Sequence, residues 1–285
     1  MDYRIRATAA AGTLRAIATH TTLSARSAQE AHRAAPLAAA AMGRAMSAAA
    51  LLAADFKSQG RLIVDIEGGG PLGRVSAECA GEFLRARVDH PEIQLDLRAD
   101  GKLAVGQGVG QDGFFRVRRE DGEGHFWESR TALVSGEIGE DLMRYYLESE
   151  QVTSAVAVGV LVGINGLVAA SGGLVVQALP GSEEVVEGVA ERFSELSHLS
   201  HRLAEGESAE DLLRSVLPQP VSLFEPQSLE FRCQCSRSYS QAILQSLPSE
   251  ELNRLIEEGG AEVICNYCRT PYQFSKRELQ EWMKN

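Results

Sequence analysis

Four of the five cysteines lie close together near the end of the sequence. They form two pairs, Cys233-Gln234-Cys235 and Cys265-Asn266-Tyr267-Cys268, with 29 residues between the pairs. Two thiol pairs at this separation are typical of a four-cysteine zinc site, because each pair occupies a tight turn that directs two sulfur atoms at one metal ion. The spacing therefore predicts one zinc ion per chain, held by Cys233, Cys235, Cys265 and Cys268.

The same four thiols are compatible with redox chemistry. A zinc-bound cysteine is a thiolate, and thiolates are the species that peroxide and hypochlorite attack. Cys265 and Cys268 are spaced for an easy disulfide, whereas Cys233 and Cys235 would need a local bend. Oxidation would remove the ligands of a module that owes about 10–16 kcal/mol to its metal. The spacing permits such a switch, and it equally permits a zinc ion that is only structural.

Two other interpretations of the cysteines fit the sequence poorly. A thioredoxin-type pair needs its first cysteine at the start of a helix, whereas Arg269-Thr270-Pro271 and an apparent strand follow Cys268. A nucleic-acid-binding zinc ribbon needs a basic surface, but residues 231–285 carry seven basic and seven acidic side chains. A zinc-stabilised module that binds a protein or a nucleic acid remains the alternative to a redox switch.

Two glycine-rich stretches and the remaining cysteine do not indicate catalysis. Residues 68–74 lack the Lys and Ser/Thr of a phosphate-binding loop, and residues 108–113 match G-x-G-x-x-G but lead into an apparent strand. We therefore expect loop glycines and no bound nucleotide. Cys79 lies in a strand-like run and is expected to be a buried small side chain. No catalytic triad or pair of catalytic carboxylates is recognisable, so we expect a protein that is not an enzyme.

Composition and charge limit the possible partners. The 285 residues are 44% hydrophobic and 24% charged, with a net charge of −11. Such an acidic chain is not attracted non-specifically to nucleic acid or to anionic membranes. The N-terminal residues lack a signal-peptide pattern, and the alanine-rich stretch of residues 34–54 carries Arg44, so no targeting or membrane segment is predicted. We expect a cytoplasmic protein.

The charge divides the sequence into three regions. Residues 179–230, here called the middle block, hold three basic and eleven acidic side chains, whereas residues 1–178 and 231–285 are nearly balanced. In the first region, residues 27–56 are mostly helix-forming, and Pro36 is expected to divide them into two helices. Helical stretches and short β-type runs are grouped rather than strictly alternating, and the β-type runs are residues 3–8, 13–18, 61–67, 74–79, 83–88, 114–118, 156–162 and 166–177. In the last region, Ser249 is expected to be a helix N-cap, and Ser275 with Glu278 is expected to form a capping box at the start of the last helix. The predicted fold class is α+β: an N-terminal mixed α/β domain, a helical linker in the middle block and a small C-terminal zinc-binding domain.

The middle block carries apolar residues at helical spacing. Ordinary helices docked on the first domain would explain the pattern. A metastable linker whose apolar stripe can be uncovered would explain it equally, and the acidic face would keep the uncovered form in solution. On the second interpretation, the stripe that becomes uncovered includes Val186, Val189, Phe193, Leu196 and Leu199.

Over essentially its whole length the sequence resembles the 33 kDa chaperonin family, the redox-regulated heat shock protein 33 of bacteria. The similarity rests on the order of many short segments rather than on any one of them. These segments are Gly43-Arg44, residues 68–73, residues 135–142, Tyr146, residues 149–151, residues 154–160, Gly172-Gly173, residues 179–181, Phe231-x-Cys233-x-Cys235-Ser236, Cys265-x-x-Cys268 and Tyr272-x-Phe274.

The resemblance implies a cytoplasmic, ATP-independent holdase that is inactive when reduced and zinc-bound. It implies that oxidation pairs the cysteines, releases zinc, unfolds the C-terminal part and favours homodimers that hold unfolding clients. The four ligand positions correspond to the cysteines named above. We expect the oxidised pairs to be Cys233 with Cys235 and Cys265 with Cys268. The expected partners are unfolded client proteins, and we expect Val186, Val189, Phe193, Leu196 and Leu199 of the middle block to bind them. No nucleic acid, membrane or nucleotide is expected as a partner.

Overall fold

The structure is a computed structural model that describes residues 1–55, 60–181, 188–189, 192–193 and 195–283. The chain divides into two compact units, Met1–Arg232 and Cys233–Asn285. The middle block belongs to the first unit, so the division falls two residues after the predicted boundary at 230/231. The roles that the sequence assigns to the three regions remain predictions.

In its described residues, the first unit is built on one large mixed sheet of eleven strands. The strands are β1 (Asp2–Ala9), β2 (Leu14–His20), β3 (Arg61–Gly69), β4 (Val75–Ala80), β5 (Phe83–Val88), β6 (Gly110–Glu120), β7 (Phe126–Ala132), β8 (Ser154–Val162), β9 (Val168–Ala178), β10 (Ser222–Leu223) and β11 (Gln227–Phe231).

The strand order is β7-β6-β3-β4-β5-β11-β1-β2-β9-β8, and β10 also pairs with β1. The pairing of β11 with β5 is parallel, and that of β11 with β1 is antiparallel. The strand β11 therefore joins the half-sheet β7-β6-β3-β4-β5 to the half-sheet β1-β2-β9-β8. It ends at Phe231, two positions before the first clustered cysteine.

Six α-helices of the first unit lie in the described residues. They are α1 (Thr22–His32), α2 (Pro36–Leu52), α3 (Val105–Val109), α4 (Ile138–Glu148), α5 (Leu199–Ala204) and α6 (Ala209–Val216), with short 3-10 turns at Ala10–Gly12, Ala53–Asp55 and Glu195–His198.

The helix α2 forms the centre of the main core. Its sequence is mostly alanine, and nearly all of its side chains are buried. Small side chains let the helix approach the sheet closely: a Cβ added at Gly43 would lie 2.7 Å from a methyl group of Val160. The helices α1, α3 and α4 contribute to the same core. As predicted, Pro36 separates α1 from α2, where it occupies the first turn of the second helix.

The opposite face of the half-sheet β1-β2-β9-β8 is covered by the middle block. A second apolar cluster joins side chains of β1, β2 and β9 to those of α5 and α6. The apolar residues of α6 and of the residue after it, Leu212, Leu213, Val216 and Leu217, are all buried there. The middle block of this structure is thus a docked layer on the sheet.

The two glycine-rich stretches pack against each other. A Cβ at Gly68 would lie 2.4 Å from the carbonyl oxygen of Gly110, and one at Gly113 would lie 1.8 Å from that of Glu67. These glycines allow the end of β3 to meet the start of β6. The prediction that both stretches are loop glycines is correct only for Gly70 and Gly73, which lie in the turn between β3 and β4. The other glycines belong to regular elements: Gly68 and Gly69 to β3, Gly108 to α3, and Gly110 and Gly113 to β6.

The second unit consists of three helices and one hairpin in the described residues 233–283. They are α7 (Arg237–Gln245), α8 (Ser249–Glu257), β12 (Gly260–Ile264), β13 (Pro271–Ser275) and α9 (Lys276–Trp282). Its buried apolar side chains are Leu244, Leu252, Phe274 and Leu279. With four such side chains, the unit has a small core.

Several local predictions differ from the structure. The helix α1 starts at Thr22 rather than at Ser27, and its first turn is held by Asp2, whose carboxylate accepts hydrogen bonds from the amides of Leu23 (3.0 Å) and Ser24 (2.6 Å). The strands β7, β10 and β11 were not predicted, because their sequences are polar or short. Ser249 is the first residue of α8 rather than its N-cap, which is Pro248.

The predicted capping box at the start of α9 is present. The Ser275 hydroxyl accepts a hydrogen bond from the amide of Glu278, and the Glu278 carboxylate accepts one from the amide of Ser275. In the part of the chain that the structure describes, no helix is both long enough and apolar enough to cross a membrane.

Candidate metal centre

The four clustered cysteines meet at one point of the second unit. Their sulfur atoms all lie within 4.8 Å of one another. The nearest neighbours are Cys233 and Cys265, with 3.5 Å between the sulfurs, and Cys235 and Cys268, with 3.3 Å. Four zinc–sulfur bonds of about 2.3 Å at tetrahedral angles place the sulfurs about 3.8 Å apart. The arrangement fits one tetrahedral metal ion, and the donor set favours zinc.

The first pair lies directly before a helix. Ser236 is the N-cap of α7, and its hydroxyl accepts a hydrogen bond from the amide of Tyr239 at 3.1 Å. This cap fixes the start of the helix and with it the direction of the chain through Cys235. The Arg237 side chain contacts the rest of the unit, because it donates to the carbonyl of Gln273 at 2.5 Å and to Glu278 at 2.6 Å.

The second pair forms the turn of the hairpin between β12 and β13. The amide of Cys265 donates to the carbonyl of Thr270 at 3.0 Å, and the amide of Arg269 donates to the carbonyl of Cys265 at 3.0 Å. Arg269 adopts a left-handed conformation with φ 59°. The amides of Tyr267 and Cys268 donate to the Cys265 sulfur. This tight turn directs the sulfur atoms of Cys265 and Cys268 to the same side.

Two polar side chains contact the sulfurs directly, and the sequence did not identify either of them. The Tyr272 hydroxyl donates to the Cys235 sulfur at 3.1 Å, and the Thr270 hydroxyl lies 3.2 Å from the Cys268 sulfur. Both residues follow the second pair within four positions. A polar side chain just after a cysteine turn is the signal that would have indicated them.

The protein environment does not stabilise four thiolates without a cation. Burial, together with the three neighbouring thiols, raises the pKa of Cys235 to about 12, although Tyr272 opposes this shift. Burial also raises the pKa of Cys265. At Cys268, hydrogen bonds from Thr270 outweigh burial and lower the pKa to about 7. Four negative charges within 4.8 Å repel one another, so a bound cation is needed to keep all four sulfurs ionised.

The fifth cysteine lies in the first unit. Cys79 is buried in β4, and its sulfur is 3.6 Å from a guanidinium nitrogen of Arg4. Burial raises the pKa of Cys79 to about 11, so it is a thiol at neutral pH. The prediction that Cys79 is a buried small side chain is confirmed.

The predicted client-binding residues are mostly covered. Val189, Leu196 and Leu199 are buried in the cluster between the middle block and the sheet, and Phe193 is partly buried against it. Val186 lies outside the described residues. Their burial against β1, β2 and β9 agrees with a docked middle block.

A second group of potential ligands is present at the hairpin turn between β6 and β7. Asp121, Glu123 and His125 place one ligand atom each within 4.8 Å. Asp121 accepts hydrogen bonds from the amides of Glu123 (2.8 Å) and His125 (3.2 Å) and contacts the His125 ring at 2.8 Å. These hydrogen bonds belong to the turn itself, and they explain why the three side chains lie close together.

Comparisons with known proteins agree with this geometry. The family model described as Hsp33 protein matches residues 2–275. The chain is 39% identical to the 33 kDa chaperonin of Bacillus velezensis, covering 99% of this chain and 98% of that protein. It is 37% identical to the 33 kDa chaperonin of Bacillus subtilis, covering 98% and 97% of the two chains. The crystal structure of the 33 kDa chaperonin (heat shock protein 33 homolog) from Thermotoga maritima superposes with a TM-score of 0.89 at 34% identity, covering 99% of this chain and 98% of that one.

Proposed function

The chain belongs to the Hsp33 family of 33 kDa chaperonins, and from this membership and the four-cysteine cluster we propose that it is an ATP-independent holdase activated by thiol oxidation. Family membership makes it a chaperone that binds client proteins and not an enzyme. The proposal includes a cytoplasmic location and a reduced, zinc-bound resting state. The observation that carries it is the meeting of four thiol sulfurs in a unit with a small core.

In the resting state, Cys233, Cys235, Cys265 and Cys268 would hold zinc. When bound, zinc keeps the four sulfurs ionised and links the chain before α7 to the hairpin turn between β12 and β13. The protein contributes the orientation of these sulfurs through the Ser236 cap and the tight turn after Cys265. The Tyr272 and Thr270 hydroxyls stabilise two of the thiolates by hydrogen bonding.

Oxidation would convert each thiol pair to a disulfide. A thiolate attacks peroxide to give a sulfenic acid and hydroxide, and the second thiol of the pair then displaces water to form the sulfur–sulfur bond. We propose that the pairs are Cys233–Cys235 and Cys265–Cys268. The shortest sulfur distances run between the pairs rather than within them. Partners two or three positions apart nevertheless stay close when the fold loosens, whereas contacts between the pairs are lost.

Activation would then expose apolar surface in the middle block. Loss of the ligands removes most of the stability of a small unit. The client-binding residues are proposed to be Val186, Val189, Phe193, Leu196 and Leu199, together with the apolar face of β1, β2 and β9 against which the last four of these pack. Eleven acidic against three basic side chains in residues 179–230 keep the released segment in solution.

An aggregation assay tests the function. The purified, zinc-loaded protein is treated with peroxide or left reduced, and light scattering of a thermally unfolding test protein is followed without nucleotide. We expect suppression by the oxidised form only, release of one zinc ion per chain and no effect of added ATP. Retained zinc with no gain of activity would favour a purely structural metal, and dependence on ATP would exclude this mechanism.

Two further measurements examine the proposed states. Hydrogen exchange across residues 185–203 should accelerate after peroxide treatment, and unchanged protection there would exclude the middle block as the switch. Peptide mapping should recover the two proposed disulfides. Sedimentation should detect homodimers in the oxidised form, and an oxidised protein that is active as a monomer would contradict that part of the proposal.

A further inference from the structure

Tyr272 connects the two cysteine pairs. It lies in β13, four positions after Cys268, and its hydroxyl donates to the sulfur of Cys235, a member of the first pair, at 3.1 Å. The two residues that share this hydrogen bond are 37 positions apart in the sequence. The contact therefore joins the chain just before α7 to the strand that follows the second pair.

The ring of Tyr272 is held by its surroundings. Tyr272 is paired in register with Val263 of β12, and both side chains pack against the buried cluster of the second unit. Phe274, two positions further along the strand, belongs to this cluster. Because alternate residues of a strand point to the same face, the rings of Tyr272 and Phe274 lie on one face of β13. The packing of the ring directs its hydroxyl at the sulfur.

The start of α7 lies along the same strand. Arg237 donates to the carbonyl of Gln273 at 2.5 Å, and its guanidinium lies over the ring of Phe274, 4.3 Å from the ring centroid. Together with the hydrogen bond from Tyr272, these contacts hold the chain around Cys235 against three consecutive residues of the strand. Protein contacts therefore contribute to bringing the first cysteine pair to the second.

The other hydroxyl at the sulfurs acts only within one turn. The Thr270 hydroxyl lies 3.2 Å from the sulfur of Cys268, which is two positions before it in the sequence. Loss of this contact would remove a hydrogen bond to a sulfur and leave the connection between the pairs unchanged. Of the two hydroxyls, only that of Tyr272 crosses from one pair to the other.

We propose that Tyr272 is a positioning residue that holds Cys235 at the second cysteine pair, and that its hydroxyl thereby sets how tightly the four thiols hold zinc. The proposal rests on the proposed function in one respect, the zinc-bound resting state. Ligands that are already in place bind a metal ion more tightly, and loss of a side chain that orients a ligand usually lowers metal affinity by about 10- to 100-fold. A donated hydrogen bond also stabilises the negative charge of a zinc-bound sulfur.

The test is Tyr272→Phe, which removes the hydroxyl and keeps the ring. The matched control is Tyr239→Phe, because Tyr239 lies in α7 of the same unit, is 65% exposed and makes no hydrogen bond to a sulfur within residues 233–283. Each reduced, full-length protein competes for zinc with a chelator of known affinity. We expect Tyr272→Phe to bind zinc about tenfold more weakly than the wild type and Tyr239→Phe to bind it equally well. Unchanged affinity in Tyr272→Phe, or an equal loss in Tyr239→Phe, would overturn the proposal.

Cobalt(II) bound in place of zinc reports on the sulfur atoms themselves. A hydrogen bond stabilises the electrons of the sulfur and raises the energy of the sulfur-to-cobalt charge transfer. Its loss in Tyr272→Phe should therefore shift this absorption band to longer wavelength, whereas Tyr239→Phe should not move it. Weaker metal binding with an unmoved band would mean that the substitution only destabilises the unit, and this result would exclude the proposed role of the hydroxyl.

Thr270→Val separates the hydrogen bond from the link between the pairs. It should also shift the charge-transfer band, because it removes a hydroxyl from a sulfur. We expect it to weaken zinc binding less than Tyr272→Phe does, since its contact stays within one turn. A loss of zinc affinity as large as that of Tyr272→Phe would show that the link between the pairs does not set the affinity, and it would contradict the positioning role.

The aggregation assay separates this proposal from the proposed function. If the oxidised wild type suppresses no aggregation, the proposed function fails, while the zinc affinities of the variants still decide the role of Tyr272. If the oxidised wild type is an active holdase and Tyr272→Phe holds zinc as tightly as the wild type, the proposed function stands and the role of Tyr272 is excluded.

Discussion

At the scale of single residues, the cysteines differ in what surrounds their sulfur atoms. The four clustered sulfurs lie within 4.8 Å of one another, whereas the Cys79 sulfur is buried in β4 beside Arg4. A cysteine is suited to bind a metal ion when three other thiols lie close to it, because a metal ion needs several donors around one point. Burial of the cysteine does not by itself make it a ligand. The two environments predict different consequences of mutation.

Cys265→Ser should abolish stoichiometric zinc binding, and Cys79→Ser should not. The serine hydroxyl is a poor zinc ligand, and Cys265 is one of the four clustered donors. Cys79 contributes packing, a contact to Arg4 and a hydrogen bond from its thiol to the carbonyl of Gly81. Metal analysis of the reduced, purified variants checks this prediction. Zinc lost from Cys79→Ser, or fully retained by Cys265→Ser at one ion per chain, would contradict the assignment of the ligands.

Asp2 gives the first unit a pH-dependent contribution to stability. Burial opposes ionisation, but hydrogen bonds from His20 and from the amides of Ser24 and Leu23 outweigh it and lower the pKa of Asp2. A lowered pKa in the folded state means stability that is present above the unfolded pKa and is lost as the pH falls through the folded pKa.

Asp2→Asn should therefore reduce the free energy of unfolding at pH 7 by about 1 kcal/mol, because hydrogen bonds to a charged acceptor are stronger than those to a neutral one by about this amount. The difference from the wild type should shrink as the pH falls from about 4, where the carboxyl of the unfolded chain becomes protonated, through the lower pKa of Asp2 in the folded protein. Urea unfolding of the first unit across this pH range measures the effect. A difference that stays constant with pH would show that the charge of Asp2 is not the cause.

At the scale of elements, the contact of α5 with the sheet depends on two glycines, which have no side chain. Gly159 of β8 and Gly172 of β9 are paired in register. A Cβ at Gly159 would lie 3.3 Å from Cβ of Ser200, and a Cβ at Gly172 would lie 2.6 Å from a methyl carbon of Leu203. The two glycines allow the helix to rest directly on the backbone of the sheet.

Gly159→Val should weaken this contact without weakening the strand. Valine favours a strand conformation, but its methyl groups would overlap Ser200, and overpacking of this kind costs about 1–3 kcal/mol. We expect faster hydrogen exchange in residues 199–204 and unchanged exchange in α4, which packs on the other face of the sheet. Equal acceleration in both helices would indicate general destabilisation instead.

At the scale of the whole molecule, the two units depend on different sources of stability. The first unit has two large apolar clusters, one on each face of its sheet. In residues 233–283, the second unit has four buried apolar side chains and the four-cysteine cluster. Domains with so small a core usually need a metal or disulfides to stay folded.

Removal of zinc by a chelator under reducing conditions should therefore unfold the second unit and leave the first unit folded. Limited proteolysis should cut within residues 233–283 of the chelated protein and spare the sheet, and added zinc should restore resistance. A variant of the first unit, such as Tyr145→Phe, serves as the control. The protease resistance of the first unit in this variant should be the same with and without zinc. A second unit that resists protease without zinc would contradict this division.

The sequence by itself determined the features that depend on neighbouring residues. The spacing of the cysteines identified the cluster that the structure brings within 4.8 Å, and Ser275 with Glu278 identified the cap of α9. The apolar spacing in residues 179–230 indicated amphipathic helices, and α5 and α6 are helices whose apolar residues are buried. Ligand turns, caps and amphipathic periods are local patterns, so their physical causes lie within a few residues of each other.

Only the tertiary structure decided the contacts between distant parts of the chain. Asp2 starts α1 one turn earlier than the sequence indicated, and Tyr3 meets Ala209 and Glu210 across about 200 positions of sequence. The strand β11, which has a short and polar sequence, joins the two half-sheets because β1 and β5 provide its hydrogen-bonding partners. These features depend on which surfaces pack together, and local propensity carries no information about the partner.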